Sequence, residues 1–371
     1  MRLSEGCLLQ GYDVVVCRGC GFGFADGLPD QSAFDAYYRD MSKYEHQDRG
    51  GQQTEFDVVR LAALAEVVRQ HVPPAVAVLD VGCSTGTLLS LLKERGFVSL
   101  TGLDPSARCA EESRRLYDID VWTGTLSTLP DDQPKFDCLV LSAVLEHIRD
   151  LGLFLGQVKR WLHPDGLAVV AVPDATRFCE AKNAPFQEFS VEHINYFGPI
   201  SLNNLMGQHG FANIYTEQVI RNVAPHVSGA ELVTVYRHGS ATHKSTYDDL
   251  TEPALRDYVA RCHNAESREA GVILELLKTQ KPIVVWGVGT HAQRLLATTP
   301  LGQANIVAFV DSNPKYQGKE LMGRPVLAPQ QLQGRMEPIL ISSWTFFDEI
   351  QTQIRDILGL KNEILRIHDR C

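Results

Sequence analysis

The chain has no apolar run long enough to span a bilayer, and its first residues show no signal-peptide pattern. The expectation is a soluble, cytoplasmic protein. Blocks of like charge are missing too. The 35 basic and 45 acidic residues are interspersed and leave a net charge of −10, which argues against nucleic acid as the main partner. Cysteine is thinly spread: nine in 371 residues read as free thiols and at most one metal knuckle, not as a disulfide framework. Internal repeats and low-complexity tracts are absent. What is present is a hydrophobic content of 44%, enough to fill proper cores, in a length that suggests two domains or three small pieces.

The chain is organised around Val78-Leu79-Asp80-Val81-Gly82-Cys83-Ser84-Thr85-Gly86. A buried parallel strand over 76–81 runs into a glycine turn and then an apolar helix, 87–95. Strand, tight turn and helix make a nucleotide site at the carboxyl end of an open α/β sheet. Asp80 bears on which nucleotide. A pyrophosphate wants bare N–H groups and a helix N-terminus, and a carboxylate would repel it. A ligand carrying an ammonium and a sulfonium would welcome that charge.

Upstream, Cys17-Arg18-Gly19-Cys20-Gly21 has the shape of one zinc knuckle. Cys7, Cys17 and Cys20 would supply three thiolates to a zinc ion, with a fourth ligand from elsewhere. The alternative is a degenerate ribbon that folds by packing its aromatic and aliphatic side chains. A tyrosine-dense stretch, 37–45, is either plain packing or an aromatic lid that includes Tyr38 and Tyr44. An amphipathic helix follows over 56–72, ended by Pro73-Pro74.

Downstream, a second strand ends at Asp104, 24 residues after Asp80, where an acid suits a bidentate contact to ribose hydroxyls. Pro105 and Ser106 begin a helix to about 117. Short strands at 121–122, 136–142 and 167–172 alternate with helical stretches at 143–148 and 153–162, so the sheet reads as parallel and doubly wound. An insertion, 173–210, contains Glu192-His193-Ile194-Asn195-Tyr196 among aromatics, in a loop expected at the ligand end of the sheet. Strands at 214–219 and 230–236 complete this part.

Val78 to Gly86, Leu103-Asp104-Pro105, Gly124-Thr125, Phe136-Asp137, Val144-Leu145-Glu146-His147 and Leu162-His163-Pro164-Asp165-Gly166, in that order, resemble a class I S-adenosylmethionine-dependent methyltransferase. The resemblance covers 55–240. It implies that Asp80, Gly82, Cys83 and Gly86 line the methionine end of the cofactor. Asp104 would hold the ribose, with Pro105 and Leu126 against adenine, and Ser142 and Ala143 would flank the sulfonium. His147 is more often structural in such folds.

A polar boundary at 242–249 leads to a long helix, 255–278. Ile283 to Ala292 then repeats strand, Gly-x-Gly turn and helix, without an acid before the glycines. Asp311 lies 22 residues past Gly289, a spacing that allows a dinucleotide. Strands at 306–310, 339–342 and 364–367 would complete a small parallel sheet. Asp311 to Pro314, Gly318-Lys319 and Gly323 to Leu327 look like the nucleotide-sugar-binding domains found beside sugar acyltransferases. The other reading is a Rossmann-shaped buttress that binds nothing.

The expected architecture is therefore α/β: a cysteine-knuckle and tyrosine-rich region (1–54), a Rossmann-like methyltransferase domain (55–240), and a helix plus a smaller Rossmann-like domain (241–371). The whole layout is similar to sugar C-methyltransferases. It departs in two places: three near cysteines stand where four are expected, and Ser190 stands where those enzymes carry Tyr. The resemblance implies S-adenosyl-L-methionine as cofactor, with structural zinc at the knuckle, and a small-molecule acceptor such as a nucleotide sugar. It implies catalytic roles for His193 as base, Glu192 and Tyr38, a cofactor contact from Tyr44, and acceptor contacts from Tyr196, Asn195 and His147. Two rivals stand beside this: an O-methyltransferase on a glycan or secondary metabolite, and an NAD-dependent oxidoreductase using the C-terminal glycine loop. The sequence leaves the oligomeric state open.

Overall fold

A computed structural model describes residues 12–30, 33–34, 55–130, 134–190, 192–224, 227–239 and 244–368. Three sheets organise the described residues.

The first is small. β1 (Asp13–Val16) and β2 (Gly23–Asp26) form an antiparallel hairpin around the Cys17–Cys20 turn. Gly21 closes the turn with φ 81°, and a Cβ there would collide with the Asp248 carbonyl oxygen. Only glycine meets both demands. The amide of Asp248 in turn donates to Cys20 O at 2.9 Å, so the hairpin docks on the segment leading into the long helix.

The central sheet follows. Helix α1 (Glu55–His71) packs Leu64, Ala65 and Val68 against it. Then come β3 (Ala77–Val81), α2 (Thr87–Glu94), β4 (Ser99–Asp104), α3 (Ala107–Tyr117), β5 (Val121–Thr123) and β6 (Phe136–Ser142). Helix α4 (Leu151–Trp161), β7 (Leu162–Pro173), β8 (Asn195–Tyr196), α5 (Pro199–Gln208), β9 (Phe211–Ala224) and β10 (Val227–His238) complete it. The strand order is β5-β4-β3-β6-β7-β10-β9, with β8 pairing instead with β2. Val78 and Val140 pack on one face of the sheet and Leu79, Leu139 and Leu141 on the other, as period-2 alternation requires.

Two expectations change here. The sheet is not all parallel: β10 runs antiparallel to both β7 and β9. Only residues 225–226 join β9 to β10, and so short a link can connect only antiparallel neighbours. Second, 143–148 is not an α-helix but one 3-10 turn, Leu145–His147. The carbonyls of Leu145, Glu146 and Ile148 accept from Asn195 and Ile194, so those oxygens are tied to the neighbouring loop. The insertion, read as loop, also contains β8 and α5.

The third sheet belongs to the C-terminal part. Helix α6 (Thr251–Thr279) leads to β11 (Ile283–Trp286), α7 (Thr290–Thr298), β12 (Ile306–Val310), β13 (Glu320–Leu321), β14 (Arg324–Leu327), β15 (Ile339–Ile341), α8 (Phe347–Thr352) and β16 (Ile364–Arg366). The order is β13-β14-β12-β11-β15-β16. It is mixed, not purely parallel, because β13 pairs antiparallel with β14 through the Met322-Gly323 turn.

Candidate functional site

In an open α/β sheet, ligands sit beyond the carboxyl ends of the strands where the order reverses. In the central sheet these are β3 and β6. The turn after β3 ends at Gly86, which caps α2 with φ 82°; a Cβ there would strike Ser113 Oγ. Ser84 is held at φ 51°, a left-handed conformation that costs a non-glycine residue about 1–2 kcal/mol. Its N–H donates to Asp104 Oδ2 at 2.9 Å, and Ser106 N–H donates to Asp104 Oδ1 at 2.9 Å. Two backbone donors thus aim the Asp104 carboxylate at the tip of β4. Each oxygen has a second lone pair, which is what two ribose hydroxyls need.

Asp80 lies in β3 between Gly102 and Val140, 3% exposed. Burial first, and then the Asp104 charge, push its carboxyl up to about 8, with Arg60 opposing. A cationic ligand group would offset that cost. The Cys83 side chain is buried against Leu89 and Ile119, and burial raises its thiol; its contribution to the loop is backbone. Leu126 is likewise buried in the core, and its carbonyl accepts from Trp161 Nε1 at 3.0 Å. Pro105 and Gly82 lie in the turns after β4 and β3.

After β6, Ala143 takes φ 55° and its N–H donates to Ala171 O at 2.8 Å. Ser142 Oγ accepts from Arg60 Nη1 at 2.9 Å. Arg60 also lies 3.4 Å from Glu231 Oε1, and Glu231 pairs with Arg221. Sequence reasoning missed Arg60 and Glu231. Arg60 sits on a helix whose apolar spacing says nothing about its polar face.

Next come Glu146, 1% exposed, and His147. His147 Nε2 lies 3.9 Å from Glu146 Oε1, and the rings of His147 and His193 are 5.0 Å apart. Ligand atoms of Glu146, His147 and His193 all fall within 4.8 Å of one another. His147 Nδ1 contacts Glu192 O at 2.8 Å, so Glu192 enters this cluster through its carbonyl. His193 is placed by its own N–H, 3.2 Å from both Ser190 O and Ser190 Oγ.

The other expected acceptor residues are engaged in holding the loop. Asn195 Nδ2 donates to Leu145 O at 2.9 Å and Ile148 O at 2.7 Å. Tyr196 is 1% exposed; its hydroxyl donates to Tyr12 Oη at 3.2 Å, which donates to Ser190 O at 2.7 Å. Tyr38, Tyr44 and Cys7 lie outside the described residues. At the knuckle, the Gly19 N–H, followed by the Cys20 thiol and N–H, lowers the Cys17 thiol. That favours a thiolate at Cys17, whereas burial raises the Cys20 thiol; by residue type the two cysteines fit one half of a tetrahedral zinc set. Among the described residues no third His, Cys, Asp or Glu joins them.

The C-terminal sheet repeats the acid arrangement at its own reversal. Val288 N–H donates to Asp311 Oδ2 at 2.9 Å and Asn313 N–H to Asp311 Oδ1 at 2.8 Å. Beside that loop, Glu269 of α6 accepts from Trp344 Nε1 at 2.8 Å and lies 3.3 Å from His291 Nε2.

Residues 58–216 match the family model described as a methyltransferase domain, and residues 279–365 match one described as C2185-like, N-terminal. The chain is 35% identical over 100 residues to a ubiquinone biosynthesis O-methyltransferase of Rhodopseudomonas palustris (strain BisA53), a stretch covering 25% of this chain and 38% of that protein. It is 33% identical over 135 residues to the enzyme of the same name from Chelativorans sp. (strain BNC1), covering 33% and 53%. The chain thus spans about half or less of these curated relatives' length. Among solved structures, a Burkholderia thailandensis 1,6-didemethyltoxoflavin-N1-methyltransferase with bound S-adenosylhomocysteine aligns at TM-score 0.45 and 18% identity, covering 61% of this chain and 98% of that one.

Proposed function

We propose that this chain, in which residues 58–216 form a class I S-adenosyl-L-methionine-dependent methyltransferase domain, transfers the donor's methyl group to a small polar acceptor, most simply a nucleotide-linked sugar or related glycan precursor. The bound donor supplies an activated methyl on a sulfonium. Asp80, Gly82, Cys83 and Gly86 hold its methionine end, and Asp104 holds the ribose. Ser142 and Ala143 flank the sulfonium.

The observation that carries the acceptor side is the meeting of His193, from the insertion, with Glu146 and His147, four and five residues past Ser142, beyond the carboxyl end of β6. In-line transfer needs alignment and exclusion of water. A hydroxyl, or a carbon next to a carbonyl, must also lose a proton. His193 takes it, since a neutral imidazole accepts protons near neutral pH. His147 and Glu192 place the ring's surroundings.

His193→Asn should leave S-adenosylhomocysteine binding within a few-fold, read by calorimetry, and cut turnover about 100-fold or more. Unchanged turnover removes His193 from the mechanism. Mass spectrometry of nucleotide sugars incubated with protein and donor tests the acceptor class: one added methylene on a sugar supports it. The O-methyl outcome named by the curated relatives is distinguished by which atom carries the new methyl.

A further inference from the structure

We propose that Glu146, His147 and His193 form a site for one divalent transition-metal ion of the zinc, cobalt and nickel class, and that filling it excludes base catalysis by His193. The second clause rests on the methyl-acceptor reading above; the first does not.

The ligand chemistry comes first. Two imidazoles and one carboxylate are a three-protein-ligand set with a fourth position open, a donor set that suits borderline divalent cations. Magnesium and calcium prefer all-oxygen shells, so they are disfavoured. The charge balance is good: one carboxylate and two neutral rings leave a residual charge near +1, which a bound hydroxide or acceptor oxygen would offset.

Geometry comes second. The three ligand atoms lie within 4.8 Å of one another, and His147 Nε2 is 3.9 Å from Glu146 Oε1. In a tetrahedral site with bonds of about 2.0–2.1 Å, ligand atoms sit roughly 3.3 Å apart. Reaching that spacing takes shifts of about 0.6–1.5 Å, which side-chain rotation on binding would have to supply. Outer partners favour the ligating form: with its proton on Nδ1, His147 donates to Glu192 O at 2.8 Å and presents Nε2 as a lone pair. Such a bond from the non-ligating nitrogen to a carbonyl is the usual second contact of metal-bound histidine.

Preorganisation comes third. Ile194 N–H donates to Glu146 O at 2.8 Å, and Asn195 ties the same turn through Leu145 O and Ile148 O. The loop bearing His193 is thus stitched to the turn bearing the other two ligands. The conflict with catalysis follows from valence. The lone pair that would accept the acceptor's proton is the one that would bind the ion.

The test is cobalt titration of the full, untagged chain after chelator treatment. We expect one equivalent with visible ligand-field bands lacking a near-ultraviolet thiolate charge-transfer band, which separates this site from the Cys17–Cys20 knuckle. His193→Asn and Glu146→Gln should each weaken that binding at least about tenfold. Bands intact in both variants, or cobalt seen only with thiolate charge transfer, overturn the site. Loaded protein should lose methyl transfer and regain it with chelator; full activity when loaded overturns the exclusion. Calorimetry with S-adenosylhomocysteine on the same samples tests the donor reading alone: cobalt binding without nucleoside binding would sink that reading and leave the metal site standing.

Discussion

Asp80 makes the sharpest prediction at the scale of a single residue. Burial and the Asp104 charge hold its carboxyl at about 8 against an ordinary 3.8. At neutral pH it is therefore mostly protonated, and a cation drawn up beside it favours the carboxylate. Donor binding then releases a proton. Affinity for S-adenosylhomocysteine should rise toward tenfold per unit from about pH 6 to about pH 8 and then level off. The same shift weakens the fold: between about pH 4 and about pH 8 the folded state keeps a proton the unfolded chain has lost, so stability falls as pH rises. Asp80→Asn should flatten both profiles and cost affinity. A steep binding profile in the variant would assign the proton elsewhere. Asp104→Ala should weaken nucleoside binding by about 1–3 kcal/mol in calorimetry, because charge-assisted hydrogen bonds are lost. Its melting temperature should also drop, since Ser84 N–H and Ser106 N–H lose their acceptor. Asp80 and Asp104 were legible in the sequence because strand-tip acids stand at fixed distances from a glycine turn. Glu146 stands in a motif that assigns it no role, and nothing in the sequence singles out Arg60. Arg60 meets Ser142 and Glu231, and the Glu146–His147 pair meets His193, through contacts of long sequence separation, which no local spacing encodes.

Among elements, the informative piece is the turn after β6. Local propensity in Ala143-Val144-Leu145-Glu146-His147 favours an α-helix, and Asn195 overrides it. Replacing Asn195 with Ala strands one buried and one part-buried carbonyl, at about 1–3 kcal/mol for the buried one and less for the other. Asn195→Ala should lower the chemical-denaturation midpoint accordingly and reduce turnover more than donor affinity, because the turn carries Glu146 and His147. Loss of donor affinity alone would contradict the clamp. Strands β3, β4 and β12 were legible as apolar runs bounded by glycine or acid. The reversed β10 was harder: alternation gives a strand but not its direction. Its neighbour β9 and the short link between them carry that information.

For the whole molecule, α6 decides the arrangement. Leu255, Tyr258 and Cys262 on its first half are buried against Phe178, Ala181 and Tyr196 beneath the central domain's loop, while Ile273 on its second half is buried in the core of the C-terminal sheet. Tyr258 Oη accepts the N–H of Glu188 at 3.1 Å, and Arg294 of α7 lies over the Phe186 ring at 3.8 Å. Tyr258→Ala removes a wholly buried aromatic and should cost about 3–5 kcal/mol. Calorimetric melting should show one transition moving down as a unit; two resolved transitions with only one displaced would mean the halves unfold separately. From the sequence, the boundary falls at the polar stretch 242–249 and the helix reads as part of the C-terminal domain alone. Burial on both halves is what the pattern of one chain segment does not reveal.

A rod of 29 residues runs about 43 Å. Anchored at one end beneath the 178–196 loop and at the other in the C-terminal core, it is a single stiff link between the two. A tilt of the C-terminal sheet is therefore expected to shift the packing under Phe186 and Phe189. Spin labels placed on the tail and on the 178–190 segment should report distance changes that rise and fall together when nucleoside is added.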